Sequence, residues 1–154
     1  MKNKIEIDKQ LKEYGRGVYG IFIVSCNGNR AEQCAYIGKS EQLYLRAKQH
    51  KASIMNRTSI PSLNNVMDDE SLRIEIRLVE FVKYVFDNYY KDAQRLASCE
   101  NYWIDEYQKK DQCLEQVPEG KRPSIDQWEE LKKQQSRDCS EFTENFPGTS
   151  HSYL

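Results

Sequence analysis

The sequence lacks several features that would assign the chain to a membrane, to secretion or to a disulfide-bonded class. No apolar run approaches the ~20 residues of a membrane span, and the first segment, MKNKIEIDKQLKEY, has no apolar stretch typical of a signal peptide. The 5 cysteines are odd in number and include no Cys-x-x-Cys pair, which argues against a disulfide framework or a zinc cluster. We therefore expect an intracellular (cytoplasmic) protein with reduced thiols and no membrane partner.

The chain also lacks a large net charge, but its charges are unevenly distributed. The formal net charge of −1, taken alone, argues against a nucleic-acid partner. Residues 1–60 contain 11 Lys and Arg against 5 Asp and Glu, a net +6, whereas residues 61–154 contain 12 against 19, a net −7. Two explanations remain open at this point: a local anion-binding surface in the basic half, or an ordinary solvated surface.

A nucleotide-binding loop is absent as well. The stretch AYIGKS, residues 35–40, ends in the Gly-Lys-Ser triplet of a P-loop. A P-loop also needs the first glycine of its GxxxxGK pattern, so that backbone N–H groups can surround a phosphate. That position is Gln33, and the intervening residues are bulky and favour a strand. The stretch therefore predicts a strand that carries Tyr36.

A β-hairpin is predicted in the first third of the chain. Two strand-like runs, GVYGIFIVS (17–25) and CAYIG (34–38), surround the dipeptide Asn27-Gly28. With these two residues as the loop, Tyr19 lies directly opposite Tyr36 on one face of the sheet. A longer loop would shift this register.

A helix follows the hairpin, with Ser40 as its N-cap and Glu41 in its first turn. In SEQLYLRAKQHKASIMN, Arg46 and His50 are four residues apart and share one face. The neighbouring strip is apolar and consists of Leu43, Ala47 and Ile54. A polar stripe beside an apolar one indicates a helix that lines a cleft.

The middle of the chain predicts a strand and a long helix. Residues 56–71 indicate a loop or a broken short helix, SLRIEIRLVEFV (71–82) alternates like a half-exposed strand, and residues 88–108 form the longest helical pattern. Glu100 interrupts the apolar stripe of that helix. Because an unpartnered buried carboxylate costs several kcal/mol, it needs a cation, strong donors or a wet cleft. A structural pair with a buried arginine and a functional site both meet this need.

The pattern weakens after Cys113-Leu114. The run PSIDQWEELKKQQ (123–135) predicts a short amphipathic helix with Ser124 and Gln127 as a capping box, and the remaining tail is polar. The length suits one domain with an extension. We predict a domain over residues 1–115 and a helical or irregular C-terminal extension of unassigned role over residues 116–154.

In this order the residues resemble the GIY-YIG nuclease superfamily. The resemblance rests on Gly17-Val18-Tyr19, which differs from GIY at one position, on an intact Tyr36-Ile37-Gly38, on Arg46 and His50, and on Glu100 within CENYWI. It covers roughly residues 15–110. It implies an α+β domain with a small three-stranded antiparallel β-sheet flanked by α-helices, which cleaves DNA phosphodiesters with one divalent metal ion.

The resemblance also implies roles for the two tyrosines and the arginine. Tyr19 is the candidate base that deprotonates the attacking water, Tyr36 orients the water or shares the proton, and Arg46 offers a planar donor fork to a phosphate. A tyrosine with an ordinary pKa near ~10 is a poor base at neutral pH. We therefore expect positive charge from Arg46, Lys39 or the metal to lower the pKa of Tyr19.

Three further residues receive roles from the resemblance. Glu100 anchors Mg²⁺ or Mn²⁺ through oxygen, with water and phosphate at the other coordination positions. His50 contacts phosphate or assists proton transfer, and a structural histidine on the helix face is the alternative. Lys39 contacts the DNA backbone as a point charge, and an ordinary solvated lysine is the alternative.

One residue that the superfamily commonly has is missing. Its members carry an asparagine on the segment after the glutamate-bearing helix, and residues 108–117 contain none. Gln112 or Gln116 is the candidate replacement, or the architecture differs after residue 108. The departure keeps open a nucleic-acid-binding module that retains the fold but is a weak catalyst. A protein-interaction domain that uses the acidic C-terminal half leaves the set of Tyr, Arg and Glu residues unexplained.

Overall fold

A computed structural model of the protein describes residues 4–28 and 32–116, together with Glu130 and Lys133. By its contacts the chain divides into two units, Met1–Val117 and Pro118–Leu154. Apart from Glu130 and Lys133, the helix predicted over 123–135 lies outside the described residues, so it and the C-terminal extension stay predictions. No helix among the described residues is long and apolar enough to cross a membrane.

The described part of the first unit contains four strands and four helices. Its described elements are β1 (Ile5–Ile7), α1 (Gln10–Tyr14), β2 (Gly17–Ser25), β3 (Gln33–Ser40), α2 (Leu43–Met55), α3 (Pro61–Val66), β4 (Leu72–Phe81) and α4 (Tyr89–Gln108). The α+β class is confirmed. The predicted strand over 71–82 and the long helix over 88–108 are present as β4 and α4. Of the two alternatives for residues 56–71, the short helix is present as α3.

The sheet has four described strands in the order β1-β4-β2-β3. Strand β2 is antiparallel to both β3 and β4, which is the predicted three-stranded core of the sheet. The fourth strand, β1, is parallel to β4 and was not predicted. Its sequence, IEI, is too short to show a two-residue period.

The register of the β2–β3 hairpin differs from the predicted one. Tyr19 pairs with Gly38 and Ile21 pairs with Tyr36, and the register shifts after Ile21. The two-residue loop was wrong because the connection between β2 and β3 is longer than Asn27-Gly28. Tyr19 and Tyr36 are diagonal neighbours on one face, with ring centroids 6.3 Å apart.

Helix α2 begins later than the sequence indicates. Ser40 extends strand β3 and pairs with Gly17, and its Oγ accepts a hydrogen bond of 2.9 Å from the backbone N–H of Gln42. Gln42 occupies the N-cap position without a side-chain cap bond, and Glu41 precedes the first turn. The predicted cap at Ser40 is therefore wrong, because pairing with β2 outweighs the local capping preference.

The sheet has a separate hydrophobic core on each face. The α2 core contains the predicted apolar strip of α2 together with side chains of β2, β3 and β4: Leu43, Ala47, Ile54, Tyr19, Ile21, Ala35, Ile74 and Ile76. The α4 core lies on the opposite face: Leu96, Cys99, Ile104, Val18, Phe22, Cys34, Ile37 and Val82. Strand β3 is at the edge of the sheet and contributes to both cores.

Candidate active site

Tyr19 lies at the centre of the candidate site. Its side chain projects from β2 into the α2 core and is only 1% exposed. Its hydroxyl is 2.6 Å from Nε2 of His50 on α2. When Tyr19 donates this hydrogen bond, His50 is the neutral tautomer that carries its proton on Nδ1. His50 thus contacts Tyr19 from the face of α2 that it shares with Arg46.

Two motif glycines provide the space for this arrangement. A Cβ at Gly38 would overlap the hydroxyl and Cζ of Tyr19, because the tyrosine ring lies directly over that glycine. Gly17 has a φ of +155°, and a Cβ there would collide with the backbone carbonyl oxygen of Glu80. The glycines of the two motifs are therefore required by close packing.

Tyr36 and His50 complete a group of three rings around the Tyr19 hydroxyl. The ring centroid of His50 is 5.3 Å from that of Tyr19 and 5.2 Å from that of Tyr36. Arg46 is exposed on the solvent side, where it interacts with the hydroxyls of both tyrosines. Its Nη1 donates to Oε1 of Gln49 at 3.1 Å. The three rings are thus packed together, and the Arg46 guanidinium lies on their solvent side.

The protonation states of the pair follow from burial. Burial raises the pKa of the Tyr19 hydroxyl well above its ordinary value, and the neighbouring Tyr36 adds to the rise, so that together they outweigh the lowering by Arg46. The protein's own positive charges therefore do not produce the expected net decrease, and a decrease caused by a bound metal ion stays a prediction. Burial, with a further contribution from Arg46, lowers the pKa of His50 to about 4. At neutral pH Tyr19 keeps its proton and His50 is an unprotonated acceptor.

Glu100 of α4 and Lys39 of β3 form an ion pair. Oε1 of Glu100 is 3.4 Å from Nζ of Lys39, and the two side chains are 12% and 31% exposed. The Glu100 carboxylate also makes a minor electrostatic contribution to the raised pKa of Tyr19. One cation beside Glu100 is thus Lys39, a lysine of β3.

The residues around Glu100 are compatible with a hard divalent cation bound through few protein ligands. Among the described residues no group of three or more His, Cys, Asp and Glu side chains converges on one point, so a cage made only of protein ligands is not present there. Glu100 offers one largely buried carboxylate whose oxygen already faces a positive charge. Magnesium is commonly held by one or two carboxylates, with water and phosphate as further ligands.

The segment after α4 contacts the edge strand β3. Oε1 of Gln112 accepts a hydrogen bond of 2.6 Å from the backbone N–H of Cys34. The side-chain amide of Gln116 accepts from the N–H of Ile37 and donates to its carbonyl oxygen, both at 2.6 Å. The two candidate replacements for the missing asparagine are thus bonded to the backbone of the YIG strand. Nothing in the local sequence indicates these contacts, because they join residues 78 and 79 positions apart.

Comparison with known families agrees with the geometry. Residues 18–112 match the family model of the GIY-YIG catalytic domain. The match covers more than half of the chain and includes Tyr19, Tyr36, Arg46, His50 and Glu100. Searches of curated proteins and of solved structures gave no significant match.

Proposed function

Because the chain belongs to the GIY-YIG family and carries its nuclease-type catalytic domain, we propose that it is a divalent-metal-dependent DNA endonuclease. The observation that carries this proposal is the 2.6 Å contact between the Tyr19 hydroxyl and Nε2 of His50, with Arg46 interacting with the same hydroxyl. Hydrolysis of a phosphodiester needs an activated water, a counter to the charge that grows on the phosphoryl oxygens, and help for the leaving oxygen.

In this proposal Tyr19 and His50 act as one base. Tyr19 is not ionised at rest, because burial raises its pKa. Instead, Oη of Tyr19 takes a proton from the attacking water while its own proton passes to Nε2 of His50. His50 can accept that proton because its lowered pKa, about 4, keeps the ring neutral. Tyr36 borders both groups and orients the water.

In this proposal two basic residues, Arg46 and Lys39, contact phosphates of the substrate. Arg46 is exposed next to the tyrosine hydroxyls, where its planar fork can bind two oxygens of the scissile phosphate. Lys39 is close enough to Glu100 to neutralise it and is exposed enough to contact a backbone phosphate. These contacts stabilise the charge of the transition state and hold the substrate in place.

Glu100 is the proposed protein ligand for Mg²⁺ or Mn²⁺. GIY-YIG nucleases are generally dependent on a divalent metal. When bound, such an ion supplies positive charge to the phosphoryl and leaving oxygens. The contribution of Glu100 is a single, largely buried carboxylate at the position that faces Lys39.

The Lys39–Glu100 pair also favours a second candidate function. If the lysine keeps the carboxylate neutralised, the domain binds nucleic acid through Arg46 and Lys39 but is a weak catalyst. This alternative needs the same fold and the same two basic residues.

Plasmid cleavage separates the two candidates. Supercoiled plasmid is incubated with the full chain in Mg²⁺, in Mn²⁺ and in excess EDTA, and DNA binding is measured in parallel at several salt concentrations. The endonuclease proposal expects nicked or linear DNA with either metal and none in EDTA. Salt-dependent binding without cleavage would favour the binding module. If the chain neither cuts nor binds DNA, the remaining candidate is a protein-interaction domain.

A further inference from the structure

We propose that Gln116 is a positioning residue that holds the edge strand β3, and with it the YIG motif, against helix α4. The proposal rests on the proposed function for the reaction that is positioned. Gln116 is one of the two candidate replacements for the superfamily's missing asparagine, and it lies outside the matched range of 18–112.

The first observation is the position of β3 at the edge of the sheet. In the described sheet its only strand neighbour is β2, so alternate backbone groups of β3 face away from any strand. At Ile37 both outward groups are bonded to one side chain, because Gln116 accepts from its N–H and donates to its carbonyl oxygen at 2.6 Å each. This is the pair of bonds that a residue of another antiparallel strand would make.

The second observation is that Gln116 is itself fixed to α4. Nε2 of Gln108, the last residue of α4, donates to the carbonyl oxygens of Cys113 and Gln116 at 2.9 and 3.0 Å. The N–H of Cys113 donates to the carbonyl oxygen of Cys34 at 3.1 Å. Residues 112–116 are therefore bonded to β3 on one side and to the end of α4 on the other.

These contacts connect the two parts of the site. Ile37 stands between Tyr36 and Gly38, and the ring of Tyr19 rests on Gly38. Helix α4 carries Glu100, whose partner Lys39 is also on β3. A displacement of β3 relative to α4 therefore changes the distance between the rings and the carboxylate.

A purely structural role explains the contacts less well. Ile37 is 0% exposed, so loss of the amide leaves its backbone groups without that partner at a cost of about 1–3 kcal/mol, which a domain with the usual ~5–15 kcal/mol survives. Positioning of reacting groups is far more sensitive, because a displacement of about 1 Å can cost on the order of 10²-fold in rate. We call the two hydrogen bonds between Gln116 and Ile37 the clamp, and we expect its loss to slow turnover more than it destabilises the fold.

The test compares two variants at Gln116 with a matched control. Gln116→Met keeps an unbranched side chain of similar length without its polar ends. Gln116→Glu keeps an acceptor for the N–H of Ile37 but loses the donor to its carbonyl oxygen. Gln10→Met makes the same change at an exposed position of α1. The full chain is used throughout, in Mg²⁺ and in saturating excess over plasmid, so that single-turnover rates are measured.

Both Gln116 variants should cut about 10- to 100-fold more slowly, with unchanged affinity for DNA, whereas Gln10→Met should match the unmodified chain. Amide hydrogen exchange should become faster at Ile37 while the amides between β2 and β4 stay protected. By NMR, the pKa of His50 should rise from about 4 towards its ordinary value, because the Tyr36 ring that covers it is displaced. A uniform loss of protection across the sheet would instead indicate a structural residue and overturn the proposal.

Failure of the clamp can be distinguished from failure of the proposed nuclease function. If the unmodified chain cuts DNA and Gln116→Met cuts equally fast, the positioning role is wrong while the nuclease function stands. If the unmodified chain does not cut, the exchange of Ile37 and the titration of His50 still decide: unchanged values refute the clamp, and altered values support its action on this site.

Discussion

Replacing Tyr19 by Phe removes one buried oxygen and leaves the ring over Gly38 in place. The hydroxyl is bonded to Nε2 of His50 at 2.6 Å, so its loss leaves a half-buried acceptor without that donor. One such bond contributes about 1 kcal/mol net, and an unsatisfied buried acceptor costs about 1–3 kcal/mol. We expect the free energy of unfolding to fall by about 1–2 kcal/mol, which a domain with the usual ~5–15 kcal/mol survives.

The effect of Tyr19→Phe on the chemical step should be much larger. A positioned general base contributes about 10²- to 10⁴-fold to rate, so the single-turnover rate should fall by that factor while DNA affinity stays the same. Tyr36→Phe should cost less, because an orienting hydroxyl contributes position and not proton transfer. Tyr102→Phe removes a hydroxyl from a side chain that is 39% exposed and serves as the control for folding and handling.

The pH profile distinguishes the Tyr19–His50 pair from a free tyrosinate. Protonation of His50 removes the acceptor, so the rate of the unmodified chain should rise with pH through the His50 pKa of about 4 and then level off before neutrality. Tyr19→Phe should lose this dependence. A rate that keeps climbing into the alkaline range would show that tyrosinate is the base, and a larger loss in Tyr36→Phe than in Tyr19→Phe would move the role to Tyr36.

Three other predictions concern the carboxylate, the arginine and the histidine. Glu100→Gln should abolish metal-dependent cleavage with an unchanged fold, because a neutral amide binds a divalent cation poorly; Glu106→Gln on the same helix is the control, and wild-type cleavage by the first variant in Mg²⁺ would refute the metal assignment. Arg46→Lys should lose about 10²- to 10³-fold in single-turnover rate, because an ammonium cannot replace a planar fork, whereas Arg57→Lys should lose nothing; full activity would show that charge suffices. Burial lowers the pKa of His50 to about 4 in the folded chain from its usual 6.5, so between these pH values the unfolded chain binds one more proton than the folded chain. The free energy of unfolding should therefore increase as pH rises from about 4 to 6.5, by about 3 kcal/mol at most and by about 2 kcal/mol after screening of a partly exposed ring. Urea unfolding across this range measures the increase, which His50→Gln should reduce; an equal increase in both proteins would contradict the burial argument.

Much of the fold could be predicted because it rests on local patterns. The alternation of β4 and the long apolar stripe of α4 are visible in the sequence, and the four-residue spacing of Arg46 and His50 places them on one face of a helix. The errors occurred where non-local pairing decides. Ser40 has the chemistry of a helix cap, yet it continues β3 because Gly17 of β2 pairs with it.

The members of the candidate site could be listed from sequence, but their electrostatics could not. Whether the pKa of Tyr19 rises or falls depends on how completely the ring is buried against Gly38 and His50, which come from β3 and α2. Lys39 has the pattern of a solvated surface residue, and only the approach of α4 to β3 places it beside Glu100. Such effects follow from tertiary packing, which a one-dimensional pattern does not encode.

The two separate cores have a consequence for how the protein loses activity. Tyr19 belongs to the α2 core and contacts His50 of helix α2, whereas Glu100 is carried by α4, whose apolar side chains belong to the α4 core. A partly unfolded state that keeps either layer retains a folded sheet face and much of its secondary structure, but only part of the chemical machinery. On heating or in denaturant, catalysis should therefore disappear at or before the first loss of either layer, and a discrepancy between the inactivation and circular-dichroism midpoints would reveal whether the layers melt independently.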